Sequence, residues 1–395
     1  MHRLFVVLIL FLSTSLALAN HSSHYVPDSI PQLLLDLEVQ IECTDGINYM
    51  YNYDFTRADS QFRWLRNQYA WHPLPHFLLG LSQWWRIVPD IHNEEYDEAF
   101  LSYMDTSILV AKNIFEHGST IEGGFFLSAA HAFKGRLYAE RKQWTKAASE
   151  GKQALKYLEY CRDRPDYGAE VLFGDALYNY YSVWIPENYK ILKPMMVFFR
   201  DGDKELGRKQ LQNVANNAFY TRTEAQYWLM KIENGEGNTQ KAMFLSDYLH
   251  KTFPNNAYFH RYYVRMLYQK GQFYKLKPEC LRMMNRIDSG YVGYEPNSGR
   301  YASYFLGQIY AYQKNDLKAK EYYLRSVEFG EELEAQEKGY HLMSLYELGR
   351  IEMKDKNYDN AKAYFKKVKK YASRKSTHYK RANMGLDRLK EEKKK

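Results

Sequence analysis

A short pattern returns three times between Gly202 and Met283, and it restricts the chain to one kind of architecture. The first copy runs Gly202-Asp203-Lys204-Glu205-Leu206-Gly207, then Leu211 and Val214. The second runs Gly237-Asn238-Thr239-Gln240-Lys241-Ala242, then Ser246, Leu249 and Pro254. The third runs Gly271-Gln272-Phe273-Tyr274-Lys275-Leu276, then Cys280 and Met283. Gly202 and Gly237 are 35 residues apart, Gly237 and Gly271 34. A fixed period of this length predicts stacked units of helix, turn and helix. The glycine is expected at the turn, where a left-handed backbone costs least without a Cβ. Five places on, a small residue lets the second helix approach the first, and the following positions recur at helical spacing on one side. One such hairpin cannot bury its apolar face alone, so three or more must stack.

Ala242 and Pro254 stand twelve residues apart in the second copy, and Gly271 with Phe273 marks the third turn. These placements resemble the tetratricopeptide repeat (TPR) family. In the same register Gly135, Tyr138, Trp144, Ala147, Ala154 and Leu155 fit one unit, with Gly151 in place of the usual aromatic. Gly307, Tyr310, Ala319 and Tyr323 fit another, and Leu345, Leu348, Gly349, Tyr358, Ala361 and Phe365 a third. Weaker copies hold Ala58 with Phe62, and Tyr96, Ala99 and Tyr103. The resemblance implies an all-α fold, a right-handed superhelical α-solenoid of TPR-like hairpins. Three departures stand out. Leu276 replaces the small residue, the steps Leu276 to Ala319 and Ala319 to Ala361 lengthen to 43 and 42 residues, and Pro186 and Pro194 interrupt a first helix.

Residues 1–19 have the three parts of a secretory signal peptide: His2 and Arg3, the uncharged apolar run Leu4 to Leu12, and the small-x-small site Ala17-Leu18-Ala19. Cleavage near Ala19 leaves an exported chain, periplasmic or extracellular, with no integral membrane span. The expected organisation is an extended lead-in over 20–31, N-terminal repeats over 32–185 and a Pro-interrupted connector over 186–199. Regular units follow over 200–287, a glycine-containing loop over 288–299, C-terminal units over 300–376, and a capping helix with a basic tail over 377–395. The block Tyr180-Tyr181, Trp184, Pro186-Glu187, Lys193-Pro194, Phe198-Phe199 and Asp201 to Gly207 is similar to one found in exported bacterial TPR proteins of unassigned role.

Chemistry is sparse. The net charge of +8 is mild for 395 residues, much of it in the tail, and no nucleic-acid module is present. Cys43, Cys161 and Cys280 are three, far apart, and form no disulfide framework. The twelve histidines do not converge in sequence, and prolines separate His72 from His76, so no metal or other cofactor is expected. No zincin, nucleophile-elbow or phosphate-loop motif occurs, which argues against an enzyme.

What remains is the concave face that the first helices of TPR units line. The motif's groove positions fall on Tyr227 and Lys231, then Tyr258, Arg261, Arg265 and Tyr268. They continue with Tyr301, Tyr304, Gln308 and Tyr312, and end with Tyr346 and Arg350. Tyrosine and arginine supply rigid contact area and forked donors. The implied role is a non-catalytic scaffold or adaptor that binds a protein or peptide segment, an acidic one suiting Arg261 and Arg265. The alternative is a structural subunit of a cell-envelope assembly that binds by its edges; equally, the rings could simply pack on neighbouring helices.

Overall fold

Helices begin where the sequence offers a side-chain acceptor to amides that lack an intrahelical partner. Asp36 accepts from the amides of Glu38 and Val39 at the head of α1 (Leu37–Tyr51), Asp54 caps α2 (Phe55–Gln68), and His72 caps α3 (Pro73–Ile87). Further helices are α4 (Asp97–His117), α5 (Thr120–Glu140), α6 (Trp144–Cys161) and α7 (Leu172–Asn188). Asp203 opens α8 (Lys204–Asn217), which is followed by α9 (Arg222–Gly235) and α10 (Thr239–Thr252). Asn256 caps α11 (Ala257–Gln269), and α12 (Phe273–Asp288), α13 (Pro296–Tyr312) and α14 (Asp316–Glu332) follow. The chain closes with α15 (Gly339–Lys354), α16 (Tyr358–Tyr371) and α17 (Thr377–Glu392), the last capped by Ser376. The computed structural model describes residues 32–162, 164, 167–190, 193 and 200–394, and no strand occurs among them. The signal peptide, the lead-in and most of the connector lie outside the described residues. Helix α7 runs through Pro186 to Asn188, and Pro296 takes the first position of α13, so the loop expected over 288–299 closes four residues early.

The chain divides into two units, Met1–Leu245 and Ser246–Lys395, with the division inside α10. In the first, α1 packs on α2, α3 on α4 and α5, α5 on α6, and α8 on both α7 and α9. In the second, α12 packs on α11 and α13, α14 on α13 and α15, and α16 on α15 and α17. There α13 also touches α11 and α15, so successive first helices lie side by side. Each unit is thus an all-α solenoid of helix hairpins.

The same geometry recurs inside the hairpins. Gly46, Gly307 and Gly349 each face a ring sixteen residues on: an added Cβ would sit 2.6 Å from Phe62, 2.5 Å from Tyr323 and 2.7 Å from Phe365. Twelve residues after the glycine stands a fully buried alanine, Ala58, Ala319 or Ala361. The glycine makes room for the ring, and the alanine lets the second helix close on the first.

Left-handed backbone marks the turns, but glycine supplies only some of it. Gly237 (φ 81°) and Gly271 (φ 66°) fulfil the expectation. Lys142, Lys314 and Lys356 occupy the equivalent place with φ of 59°, 58° and 61°. Gly202 is not left-handed; it is needed because a Cβ there would collide with Ser182 Oγ and the Asn179 carbonyl. Since a side chain in the left-handed region costs about 1–2 kcal/mol, Lys314→Gly is expected to stabilise the second unit by about 0.5–1 kcal/mol after the extra unfolded-state entropy of glycine. A raised urea midpoint would show it; a lowered one would mean that the lysine side chain contributes more than its strain.

Candidate functional site

Three arginines converge on one tyrosine in the second unit. Arg265, half-buried on α11, places its guanidinium carbon 5.3 Å from the ring centroids of both Tyr262 and Tyr301. Arg300, on α13, lies 5.5 Å from the Tyr301 ring. Arg261 sits one helical turn before Arg265, 5.1 Å from the Tyr258 ring, and donates to Ser298 Oγ at 3.2 Å. Burial alone would raise the Tyr301 phenol, but Arg265, Arg300 and Arg261 outweigh it and hold the phenol below its ordinary value. Three guanidiniums around one phenol make the local field positive.

Arg300 is the least satisfied member. It is 8% exposed, and its guanidinium donates to Asn297 Oδ1 at 3.1 Å through Nη2, while Nε and Nη1 have no hydrogen-bond partner. Burial lowers its pKa. A buried guanidinium with open donors costs several kcal/mol unless an acceptor arrives. A carboxylate is a strong acceptor for such a donor.

The aromatic floor of this face joins three first helices. Tyr340 of α15 lies 4.9 Å from Tyr301 and 4.7 Å from Tyr304, and Tyr268 of α11 stacks on Phe305 at 4.2 Å. Of the groove positions read from sequence, Tyr258, Arg265, Tyr268, Tyr301, Gln308 and Tyr346 are half-buried and Arg261 is buried. Tyr304, at 0% exposure, is enclosed by its neighbours. Gln308 donates to Tyr323 Oη at 2.7 Å, and Tyr346 packs 5.6 Å from Phe365. Arg350 pairs with Glu347 at 2.9 Å on its own helix, and Tyr312 is 89% exposed at the end of α13. Arg300 and Tyr340 belong to the same face, although the motif register does not select them. Arg300 was missed because it precedes a groove position by one residue, a rotation of about 100° on a helix.

Tyr227 and Lys231 lie in the first unit. Tyr227 is buried, its ring 5.9 Å from Trp85, and its hydroxyl accepts from Arg136 at 3.3 Å and Lys231 at 3.2 Å. Beside them is a cavity of about 280 Å³ that sequence reading did not anticipate. Phe77, Phe133, Leu155, Phe173, Tyr181 and Trp228 contribute to its wall, with Arg136 and Glu140 as charged members. Gly135 and Gly151 are spaced as Gly307 and Tyr323 are, and both line the cavity, but with no ring at the second place the α6 backbone itself comes close to Gly135, within 3.5 Å of where a Cβ would stand.

His72 acts locally: its Nδ1 accepts from the Leu74 amide at 3.2 Å, and Nε2 lies 3.2 Å from Glu122. His76 Nε2 lies 3.3 Å from the Ala70 carbonyl oxygen. All three cysteines are buried free thiols. No helix among the described residues is long and apolar enough to cross a membrane.

No protein-family model matches the sequence, and no curated protein matches it. Among solved structures, the chain is similar to the human IFIT1 dimer with PPP-AAAA, at 15% identity and a TM-score of 0.39, covering 83% of this chain and 71% of that one. It is also similar to the P58(IPK) TPR domain, at 11% identity and a TM-score of 0.23, covering 91% and 100%. At these scores neither neighbour carries an argument about fold or function.

Proposed function

We propose that the protein is a non-catalytic, exported scaffold whose second unit binds an acidic protein segment on the face built from Arg261, Arg265, Arg300, Tyr258, Tyr301 and Tyr340. The observation that carries the reading is the arginine cluster around the half-buried Tyr301: Arg265 and Arg300 lie over its ring, and Arg300 is buried with Nε and Nη1 unpartnered. A segment laid across α11, α13 and α15 brings a carboxylate to the half-buried Arg265, in the field of Arg261 and Arg300, and stacks its neighbouring side chains on the rings. Fluorescence anisotropy with a library of Asp- and Glu-containing peptides tests this. Binding should weaken steeply with salt and with Arg265→Glu; equal binding of neutral and acidic peptides would overturn it.

Export rests on residues 1–19. The mature chain is expected to begin near Asn20, outside the cytoplasm, and intact-mass analysis of protein from its native host decides this: a retained Met1 would contradict it.

The first-unit cavity supports a second reading, a small apolar ligand. Gly151→Phe forces a ring into the wall where α5 and α6 touch, so it should lower the melting temperature by overpacking and abolish fluorescence of an apolar dye bound there. Unchanged dye binding would show that the dye sits elsewhere.

A further inference from the structure

Three side chains of metal-ligating type, His250 and His260 buried and Glu279 half-buried, meet in the second unit, each from a different helix. His250 closes α10, His260 lies in the first turn of α11, and Glu279 sits on α12. Their side chains are 7%, 0% and 15% exposed. One ligating atom from each falls within 4.8 Å of the others. The His250 Nε2 lies 3.4 Å from Glu279 Oε2, and the His260 Nε2 lies 3.1 Å from the same oxygen. A tetrahedral ion with ligands at about 2.0–2.1 Å sets them about 3.3–3.4 Å apart. The two edges that meet at Glu279 Oε2 are therefore close to those of such a site.

His250, His260 and Arg282 all close on one oxygen, Glu279 Oε2, but the geometry completes no good hydrogen bond at His260 Nε2 or at that oxygen, and the buried His250 Nδ1 has no hydrogen-bond partner. The two imidazole rings stack 4.5 Å apart, nearly parallel, and Tyr263 also stacks on His250, at 5.1 Å. Buried donors and acceptors left open cost about 1–3 kcal/mol each. A cation at their centre would satisfy them together.

An outer support is present. His260 Nδ1 lies 3.0 Å from the Tyr294 hydroxyl, and that hydroxyl also accepts from Arg286 Nη1. The oxygen keeps a lone pair for an Nδ1–H of His260, which leaves the Nε2 lone pair facing the cluster. Ligating histidines are oriented in this way by the partner of their other nitrogen. Arg282 is a competing cation, with Nη1 3.2 Å from Glu279 Oε2; its side chain is half exposed and can turn to solvent.

We propose that His250, His260 and Glu279 form a metal site selective for Zn²⁺, with water as fourth ligand. Two imidazoles and one carboxylate suit a borderline ion, and an all-oxygen preference excludes Ca²⁺ and Mg²⁺. The ion would join the end of one hairpin to both helices of the next. Because the ligands are brought together only by folding, its binding adds to the stability of this unit.

The test uses the tag-free full mature chain, stripped of metal and titrated with Zn²⁺ in a calorimeter, with Co²⁺ as a spectroscopic substitute. The expected result is one ion per chain with a micromolar or tighter Kd, a melting temperature that rises with Zn²⁺, and the intense visible bands of four-coordinate Co²⁺. His250→Gln and Glu279→Gln should each weaken binding at least tenfold and remove those bands. Tyr294→Phe, which touches no metal, should weaken it by about 10–100-fold. Absence of saturable binding to the wild type, or wild-type affinity in both glutamine variants, would overturn the site. Should the variants misfold, the wild-type Co²⁺ spectrum and Zn²⁺-dependent melting decide it: weak octahedral bands and an unmoved midpoint refute the proposal.

Discussion

Tyr304→Ala is expected to destabilise the Ser246–Lys395 unit by about 3–5 kcal/mol, the range for emptying a buried aromatic site. The ring has 0% exposure and lies 4.7 Å from Tyr340, 5.9 Å from Phe305, 6.1 Å from Tyr268 and 6.3 Å from Tyr323. Its hydroxyl donates to Met343 Sδ at 3.5 Å. These partners come from four helices, so the cavity left behind cannot close by moving one of them. Tyr312→Ala, at a ring that is 89% exposed, should change stability by less than about 0.5 kcal/mol. Urea unfolding of the two variants measures the contrast. Similar small losses for both would mean that the cluster repacks around the missing ring.

The second large effect concerns binding. Arg265→Glu is expected to weaken an acidic segment by about 2–4 kcal/mol, roughly 30–1000-fold, by placing a carboxylate between Tyr262 and Tyr301 where a guanidinium stood. Arg300→Met separates binding from folding more sharply. Removing a buried guanidinium whose Nε and Nη1 are open should leave stability unchanged or raise it. The same change should weaken the acidic segment at least tenfold. A residue kept for packing alone would lose stability and leave binding proportional to the folded fraction.

The sequence shows the hairpins because their register depends on local geometry. Ala147, Ala242, Ala319 and Ala361 are buried at 0–1% exposure, each where the spacing required a small residue. Even the lengthened steps are visible, since Lys314 and Lys356 turn the chain in the left-handed place that Gly237 and Gly271 hold earlier. Gly202 shows the limit: its need for glycine comes from Ser182 and Asn179 on a helix before it, which spacing does not reveal.

The candidate face was legible only in part. The motif register chose helix positions, but whether a side chain there is open depends on the next first helix. Tyr304 is closed by Tyr340, 36 residues on, and Arg350 is drawn to Glu347 on its own helix. Arg300 contributes by burial against Tyr301, not by falling on a motif position. His250, His260 and Glu279 come from three helices and have no spacing that a ligand motif would recognise.

Site-directed photo-cross-linking tests the central claim most directly. A photoreactive residue in place of Tyr301, on the proposed face, is compared with one in place of Tyr274, a 76% exposed ring on α12. Capture of an acidic segment from position 301, little capture from 274, and loss of the 301 product on Arg265→Glu are predicted. Equal capture from both positions, or a 301 product indifferent to Arg265→Glu, would contradict binding at this face.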